Sequence, residues 1–74
     1  HSPHKAELKI KKPAPAGLSP EAEAIYAVLD FEPHSADELS EMAQLSSQQT
    51  AAALTELEIF GAAVAVSGRR FRLE

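Results

Sequence analysis

Cysteine is absent from this 74-residue sequence, and no apolar run approaches the roughly 18 residues that a membrane-spanning helix needs. Without cysteine the chain has no disulfides and no thiolate metal ligands, which is typical of an intracellular protein. No signal-peptide pattern is present. The sequence therefore predicts a soluble, cytoplasmic protein without a membrane partner.

Glycine-rich phosphate loops are also missing, and no nucleophilic side chain has a plausible base. The three histidines, His1, His4 and His34, are not spaced with carboxylates as metal ligands are. His1 and His4 could bind a metal only adventitiously, and we interpret His34 as an ordinary turn residue. We predict that the protein is not an enzyme and has no metal, no cofactor and no small-molecule substrate.

Lysine and arginine are missing from the middle of the chain. Residues 19–60 carry nine acidic side chains and neither basic residue, whereas residues 1–18 have a net charge of +3 and residues 61–74 a net charge of +2. This segregation matters more for binding than the total charge of −4. An acidic body is flanked by two basic ends.

The length allows one domain, and the start at His1 rather than methionine leads us to expect a piece of a longer protein. Residues 1–17 include three prolines and the run Lys-Ile-Lys-Lys, a composition that buries little surface, so we predict a flexible linker there. Its lysines are either a solvated tether or a weak contact with phosphate or an acidic surface. Residues 18–74 form the predicted domain.

Two helices are predicted in the first half of this domain. The first begins at Ser19-Pro20, with serine as the N-cap, and ends within residues 30–33, before a proline. The second begins with a capping box of Ser35 and Glu38 and is barely two turns long. The residues predicted to face the core are Ala22, Ile25, Tyr26 and Leu29, then Leu39, Met42 and Ala43, and Leu45 at the corner that follows.

A third and longer helix follows the corner. It begins with a second capping box, Ser46 and Gln49, and runs to about Phe60, where Gly61 is placed for a left-handed C-terminal cap. The predicted inward-facing residues are Thr50, Ala53, Leu54 and Leu57. The predicted open face consists of Gln48, Gln49, Ala52, Thr55 and Glu56.

Two β-prone runs end the chain, at residues 62–66 and 69–73. They are separated by Ser67 and Gly68, a two-residue spacing that predicts a β-hairpin with glycine at a positive φ. Alternation gives each strand one apolar face, which we expect to pack on the helices while the arginines point outward. The apolar faces are Val64 and Val66 on the first strand and Phe71 and Leu73 on the second, with Arg70 and Arg72 outward. The fold class is mainly α with a small β-hairpin, a winged helix-turn-helix with three helices and a two-stranded wing.

Four sequence motifs resemble a known family. They are Ser-Ala-Asp-Glu-Leu at 35–39, Leu-Ser at 45–46, Leu-Thr-Glu-Leu-Glu-Ile-Phe-Gly at 54–61 and Gly-Arg-Arg-Phe-Arg at 68–72. Together they resemble the C-terminal winged-helix domain of the DNA-processing protein DprA, also called Smf, over residues 18–74. The Leu-Glu-Ile-x-Gly run before the wing is the most specific element.

The resemblance carries expectations about function. In that family the domain follows a Rossmann-like DNA-binding core and a linker, and the whole protein protects incoming single-stranded DNA during natural transformation and helps load the RecA recombinase. The single-strand site belongs to the core, so none of its residues carries over to this chain. The implied partners are DNA, bound weakly, and a RecA-type recombinase or another DprA copy, reached through the full-length protein.

DNA contact is the usual function of a winged helix, with the third helix in the major groove and the wing on the backbone. The DNA-contact candidates are Gln48, Gln49 and Thr55 on the helix and Arg69, Arg70 and Arg72 on the wing. The helix side chains can read base edges, but the helix has no basic residue to neutralise phosphates, and Glu56 and Glu58 oppose them. The wing is therefore favoured, although arginines on a hairpin are also an ordinary solvated edge.

Protein contact is the competing function. Phe31 ends the first helix and Phe60 ends the third, and they either form an apolar contact surface or simply cover the helix ends. The working hypothesis is an accessory domain in DNA uptake, natural transformation and RecA-linked recombination, acting by weak wing-mediated DNA contact or by protein contact. The alternatives are a transcription-factor-like winged helix that reads duplex sequence and a dimerisation or interaction module without DNA binding.

Overall fold

The computed structural model describes residues 13–74, so residues 1–12 of the predicted linker lie outside it. Residues 13–19 lead into the first helix without helix or strand of their own, with a turn at Ala16 and Gly17. Leu18 is the first residue of the hydrophobic core. The assignment of residues 1–17 to a linker stays a prediction.

Helix α1, Pro20–Val28, begins where the sequence predicts. The Ser19 hydroxyl accepts a hydrogen bond from the Ala22 N–H at 3.2 Å, and Pro20 occupies the first turn, where its missing N–H costs nothing. The helix ends at Val28 because Leu29 adopts extended backbone angles. The four predicted core residues, Ala22, Ile25, Tyr26 and Leu29, are all buried.

Strand β1, His34–Ser35, leads directly into helix α2, Ala36–Ala43. The predicted capping box is present, with Ser35 Oγ accepting from the Glu38 N–H at 3.1 Å and Glu38 Oε1 accepting from the Ser35 N–H at 3.4 Å. Leu39 is fully buried, and Ala36 and Ala43 pack at the edge of the core. The prediction that Met42 is buried is wrong. Met42 lies at the edge of the helix face that Ala36, Leu39 and Ala43 share, and it is 45% exposed.

Helix α3, Ser47–Ile59, follows a tight corner in which Gln44 has left-handed backbone angles and the Leu45 N–H donates to the Ser40 carbonyl at 2.9 Å. Leu45 is half-buried against the core, as predicted. The second capping box is also present. The four predicted inward residues, Thr50, Ala53, Leu54 and Leu57, are all buried.

The end of α3 has the glycine cap that the sequence predicts. Gly61 has a φ of +73°, and the Ala62 N–H reaches back to the Leu57 carbonyl at 2.8 Å while the Gly61 N–H donates to the Glu58 carbonyl at 3.0 Å. This pair of hydrogen bonds is a Schellman motif. It turns the chain sharply from α3 into the wing.

The wing contains strands β2, Ala63–Val66, and β3, Arg70–Leu73, but the sheet has three strands rather than the predicted two. Strand β1 pairs antiparallel with β3, so that β3 is central and the order is β1-β3-β2. A two-residue strand of histidine and serine gives no periodic signal, and for this reason the sequence did not predict it. Strand β1 attaches the wing to the start of α2.

The turn of the wing is one residue longer than predicted. Val66 pairs with Arg70, so the connection is Ser67–Arg69, and both Gly68 and Arg69 have positive φ, at +80° and +59°. The extra residue shifts the pairing of β2 with β3 by one position. Each residue of β2 therefore shares a sheet face with the other set of β3 side chains than predicted.

The register corrects the prediction about the apolar face of the wing. Val64 lies opposite Arg72 and Val66 opposite Arg70, so the two valines share the face of the arginines. Buried contact with the helices is made instead by Ala63 and Leu73, which lie opposite each other. One core therefore joins the three helices to the inner face of the sheet. Within residues 13–74, no helix is long and apolar enough to cross a membrane.

Candidate functional site

The wing presents the basic residues of the described chain. Arg69 and Arg70 are exposed, whereas Arg72 is half-buried and its guanidinium Nη1 donates to the Leu73 carbonyl at 2.9 Å. Within residues 13–74, no acidic side chain forms an ion pair with any of the three arginines. Their charges are therefore not neutralised inside this part of the protein.

The outer face of the sheet combines charge with aliphatic surface. Arg70 lies between Val66 of β2 and Ser35 of β1, and Arg72 lies opposite Val64. Both valines are half-buried. The register places each arginine opposite a valine, and the Arg70 guanidinium lies beside Gly68 of the turn. A surface of this kind suits phosphate or carboxylate oxygens, which a guanidinium binds in a fork geometry.

The outer face of α3 is polar and carries almost no charged side chains. Gln48, Gln49 and Thr55 are exposed, as predicted. Gln49 Oε1 accepts from the Ser46 N–H at 3.0 Å in the capping box, and the Thr55 hydroxyl donates to the Ala51 carbonyl at 3.0 Å. Gln48 has no side-chain hydrogen bond to the described residues. Of the three side chains proposed to read bases, Gln48 is thus the least occupied by contacts within the helix.

The placement of Glu56 corrects the sequence analysis, which assigned it to the open face of α3. Its carboxylate accepts from the Ser19 N–H at 2.7 Å and from the Ser19 hydroxyl at 2.9 Å. A carboxylate at the N-terminus of α1 is stabilised by the free N–H groups and the dipole of that helix. Glu56 therefore links α3 to α1, whereas Glu58 is exposed.

A groove of about 430 Å³ lies at the end of α3, where the two protein-contact candidates meet. Phe60 is 45% exposed, and Phe31 is half-buried against the core. The groove is lined by Pro13, Pro15, Tyr26, Phe31, Phe60, Gly61, Ala62, Leu73 and Glu74. The structure thus brings Phe31 and Phe60 together on one surface.

Ile59, which the sequence analysis did not single out, is the most exposed large apolar residue of the described chain, at 78%. A signal for it was present, because Ile59 follows Gln48, Ala52 and Thr55 at spacings of four, three and four residues along α3. These residues form one outer ridge. The apolar end of this ridge, Ile59, directly precedes Phe60 in the chain.

His34 is not the ordinary turn residue that the sequence analysis expected. It belongs to β1, opposite Phe71 of β3, and its Nε2 lies 3.0 Å from Asp30 Oδ1 while its Nδ1 lies 3.2 Å from Glu38 Oε1. Burial lowers the pKa of His34, but the hydrogen bonds and negative charges of Glu38 and Asp30 outweigh it and raise the pKa above its ordinary value of 6.5. No group of three histidine or acidic side chains among the described residues is arranged to hold a metal ion.

A family model described as the DprA winged helix domain matches residues 9–69 of the chain. No curated protein and no solved structure matches it. The matched range covers all three helices and extends to the turn of the wing.

Proposed function

Because the chain belongs to the family of DprA winged helix domains, we propose that it is an accessory, non-catalytic domain that contacts DNA weakly through its wing. Membership of the family implies a role in DNA processing. The finer proposal places the contact in DNA uptake, natural transformation and RecA-linked recombination, as the resemblance implies. A RecA-type recombinase or another DprA copy would be reached through the full-length protein.

One observation carries the proposal of wing contact. The three arginines on the wing have no acidic partner within residues 13–74, whereas the outer face of α3 has no basic residue at all. Affinity for DNA comes mainly from neutralising phosphates, and only lysine and arginine do this at neutral pH. The wing can supply that contribution and the recognition helix cannot.

The same charge distribution argues against a transcription-factor-like reading of duplex sequence. A helix that enters the major groove approaches phosphates on both sides, and α3 would bring Glu58 toward them without compensation. Gln48 could still pair with a base edge, but a single bidentate contact is worth only about 1–3 kcal/mol. We therefore expect backbone contact with little sequence preference.

Protein contact remains the second candidate function, and one observation favours it. Phe31 and Phe60 line one groove, and Ile59, the neighbour of Phe60 in the chain, is 78% exposed. Exposed apolar side chains grouped on a small domain are typical of contact surfaces. This function requires no DNA and would use a different side of the molecule from the outer face of the wing.

The test is a titration of labelled duplex and single-stranded DNA of equal length, followed by fluorescence anisotropy at several salt concentrations. If all three arginines each contact one phosphate, the affinity of the wild-type chain for duplex should fall about 40-fold between about 50 and 200 mM salt. The R69Q/R70Q variant, left with one contact, should lose only about 3- to 4-fold over the same range.

Gln48→Ala is the matched control, because Gln48 is exposed and has no side-chain hydrogen bond to the described residues. It should leave the affinity and its salt dependence unchanged. Equal binding by the wild type and R69Q/R70Q would contradict wing contact. A loss in Gln48→Ala that depends on the DNA sequence would favour readout of bases by α3.

A further inference from the structure

The imidazole of His34 lies between two carboxylates that come from different elements. Asp30 follows the end of α1, Glu38 belongs to the first turn of α2, and the ring nitrogens lie 3.0 Å and 3.2 Å from their oxygens. The His34 side chain is 19% exposed and both carboxylates are 57% exposed. Both nitrogens of the ring are thus at hydrogen-bonding distance from an acceptor.

This arrangement favours a proton on each nitrogen. An ionised carboxylate only accepts hydrogen bonds, and a neutral imidazole has one N–H donor and one nitrogen with a lone pair. The neutral ring can therefore satisfy one of the two carboxylates and must direct its lone pair at the other. The doubly protonated, positively charged ring donates to both.

The residues that contact the His34 ring also belong to the segment that binds the central strand of the wing. The Asp30 carbonyl accepts from the Leu73 N–H of β3 at 2.9 Å, and His34 and Ser35 pair with Phe71 and Arg70 of the same strand. Glu38 Oε1 also accepts from the Ser35 N–H in the capping box of α2. The central strand of the wing is therefore attached to the helices through the segment that the ring bridges.

We propose that protonation of His34 stabilises the attachment of the wing to the three helices. Deprotonation then frees one of the two carboxylates and makes β1 and β3 more mobile. This regulation concerns the same surface as the proposed DNA contact, and its effect on DNA rests on that proposed function. At low pH the arginines of β3 are held in one position relative to α3. At high pH the wing samples more positions and the contact weakens.

The direction of the pH dependence follows from the charges around the ring. Its two neighbours in space are Asp30 from the loop and Glu38 from α2, and together they raise the pKa of His34 above 6.5 although burial lowers it. Strand β3 carries Arg70 and Arg72 beside Phe71, and the same region of the chain contains Glu32 and Asp37; none of these four is among the groups that shift this pKa. As long as both carboxylates are ionised, the bridge is complete below pH 6.5 and is lost as the pH rises through the raised pKa.

The experiment is a pH titration of the isotope-labelled chain by NMR, which reads the His34 ring and the backbone amides separately. His34 is the only histidine within residues 13–74, and the sequence has no cysteine, so no other side chain there has an ordinary pKa near neutrality. In the wild type, the amide shifts of residues 70–73 should change in one transition whose midpoint equals that of the ring. In His34→Gln the transition should be absent.

Glu38→Gln is the second variant, and it keeps the capping box because glutamine fills the same position in α3. It should move the midpoints of the ring and of residues 70–73 together to lower pH. Ring titration without any response of residues 70–73 in the wild type would overturn the proposal, as would a transition at these residues that persists in His34→Gln.

A separate arm measures duplex binding at about pH 6 and 8 at constant ionic strength, on either side of the ordinary histidine pKa. Regulation predicts tighter binding at the lower pH for the wild type and a smaller difference for His34→Gln, in which only His1 and His4 gain charge. Unchanged wild-type affinity would overturn the effect on DNA, and absence of binding at both pH values would overturn the proposed function itself. The NMR arm decides on the attachment of the wing in either case.

Discussion

Thr50 is the one polar residue in the core of the described chain, and its hydroxyl has no hydrogen-bond partner there. The side chain is 1% exposed and lies in the first turn of α3. A buried hydroxyl without a partner costs about 1–3 kcal/mol of desolvation. Valine has the same shape as threonine without this group, and it suits the site better.

We predict that Thr50→Val raises the free energy of unfolding by about 1 kcal/mol, because it removes the unpaired hydroxyl without opening a cavity. Thermal unfolding should show a midpoint higher by roughly 4–8 °C, the shift expected for a domain of this size. Thr55→Val in the same helix is the control, since that hydroxyl is exposed and already donates to the Ala51 carbonyl. A lower stability for Thr50→Val would mean that the hydroxyl finds a partner in solution.

At the wing tip, Arg69 shows why the local sequence pattern did not predict the turn correctly. Its φ of +59° lies in the left-handed region, which glycine and asparagine adopt readily and other residues rarely. The sequence predicts a positive φ at Gly68 alone, and with it a two-residue turn and a different register. Nothing in the side chain of an arginine indicates this conformation.

At the scale of the elements, Glu56 of α3 makes a polar contact with Ser19, the N-cap of α1. Two hydrogen bonds of 2.7 and 2.9 Å join the Glu56 carboxylate to the Ser19 N–H and hydroxyl. The contact is partly buried, so solvent screens it less than an exposed ion pair. It fixes the orientation of the recognition helix against the first helix.

We predict that Glu56→Ala lowers the free energy of unfolding by about 1–2 kcal/mol, because it leaves the Ser19 N–H without its charged acceptor. Urea unfolding measures the loss. Glu58→Ala should leave the stability equal or slightly higher, since an exposed acidic side chain in the last turn opposes the helix dipole. A double-mutant cycle with Ser19→Ala should show coupling, and independent effects of the two substitutions would contradict the contact.

The helices could be predicted from the sequence because their signals are local. Ser19, Ser35 and Ser46 each cap a helix through residues within three positions, and helical spacing identified all but one of the assigned core positions. The contacts that differ from prediction join distant parts of the chain. Glu56 reaches Ser19 across 37 positions, and β1 pairs with a strand at the far end of the domain.

The candidate site was predictable as a set of residues but not as an arrangement. The exposure of Gln48, Gln49 and Arg70 followed from helical and strand periodicity. The pairing of the arginines with the valines depends on the register, and the register depends on the turn. The environment of His34 depends on a bend that brings Asp30 beside β1 and on the first turn of α2.

At the scale of the whole molecule, the charge distribution and the fold favour different surfaces for DNA contact. The architecture presents a recognition helix and a wing, yet all nine acidic residues of residues 19–60 lie in the helical body and its loops, and the described basic residues lie on the wing. A field of this kind repels phosphates from the body and attracts them to one edge. The account therefore requires DNA to meet the wing first, at low affinity and with strong salt dependence.

The most direct test of this requirement is an NMR titration of the labelled chain with duplex DNA, single-stranded DNA and buffer alone, repeated at increasing salt. The account predicts amide shifts centred on residues 69–72 that diminish as salt rises. Shifts centred on Gln48, Gln49 and Thr55 would place the contact on α3 instead. No shift with either DNA, together with concentration-dependent shifts at Phe31 and Phe60, would contradict DNA contact and favour assembly through the groove.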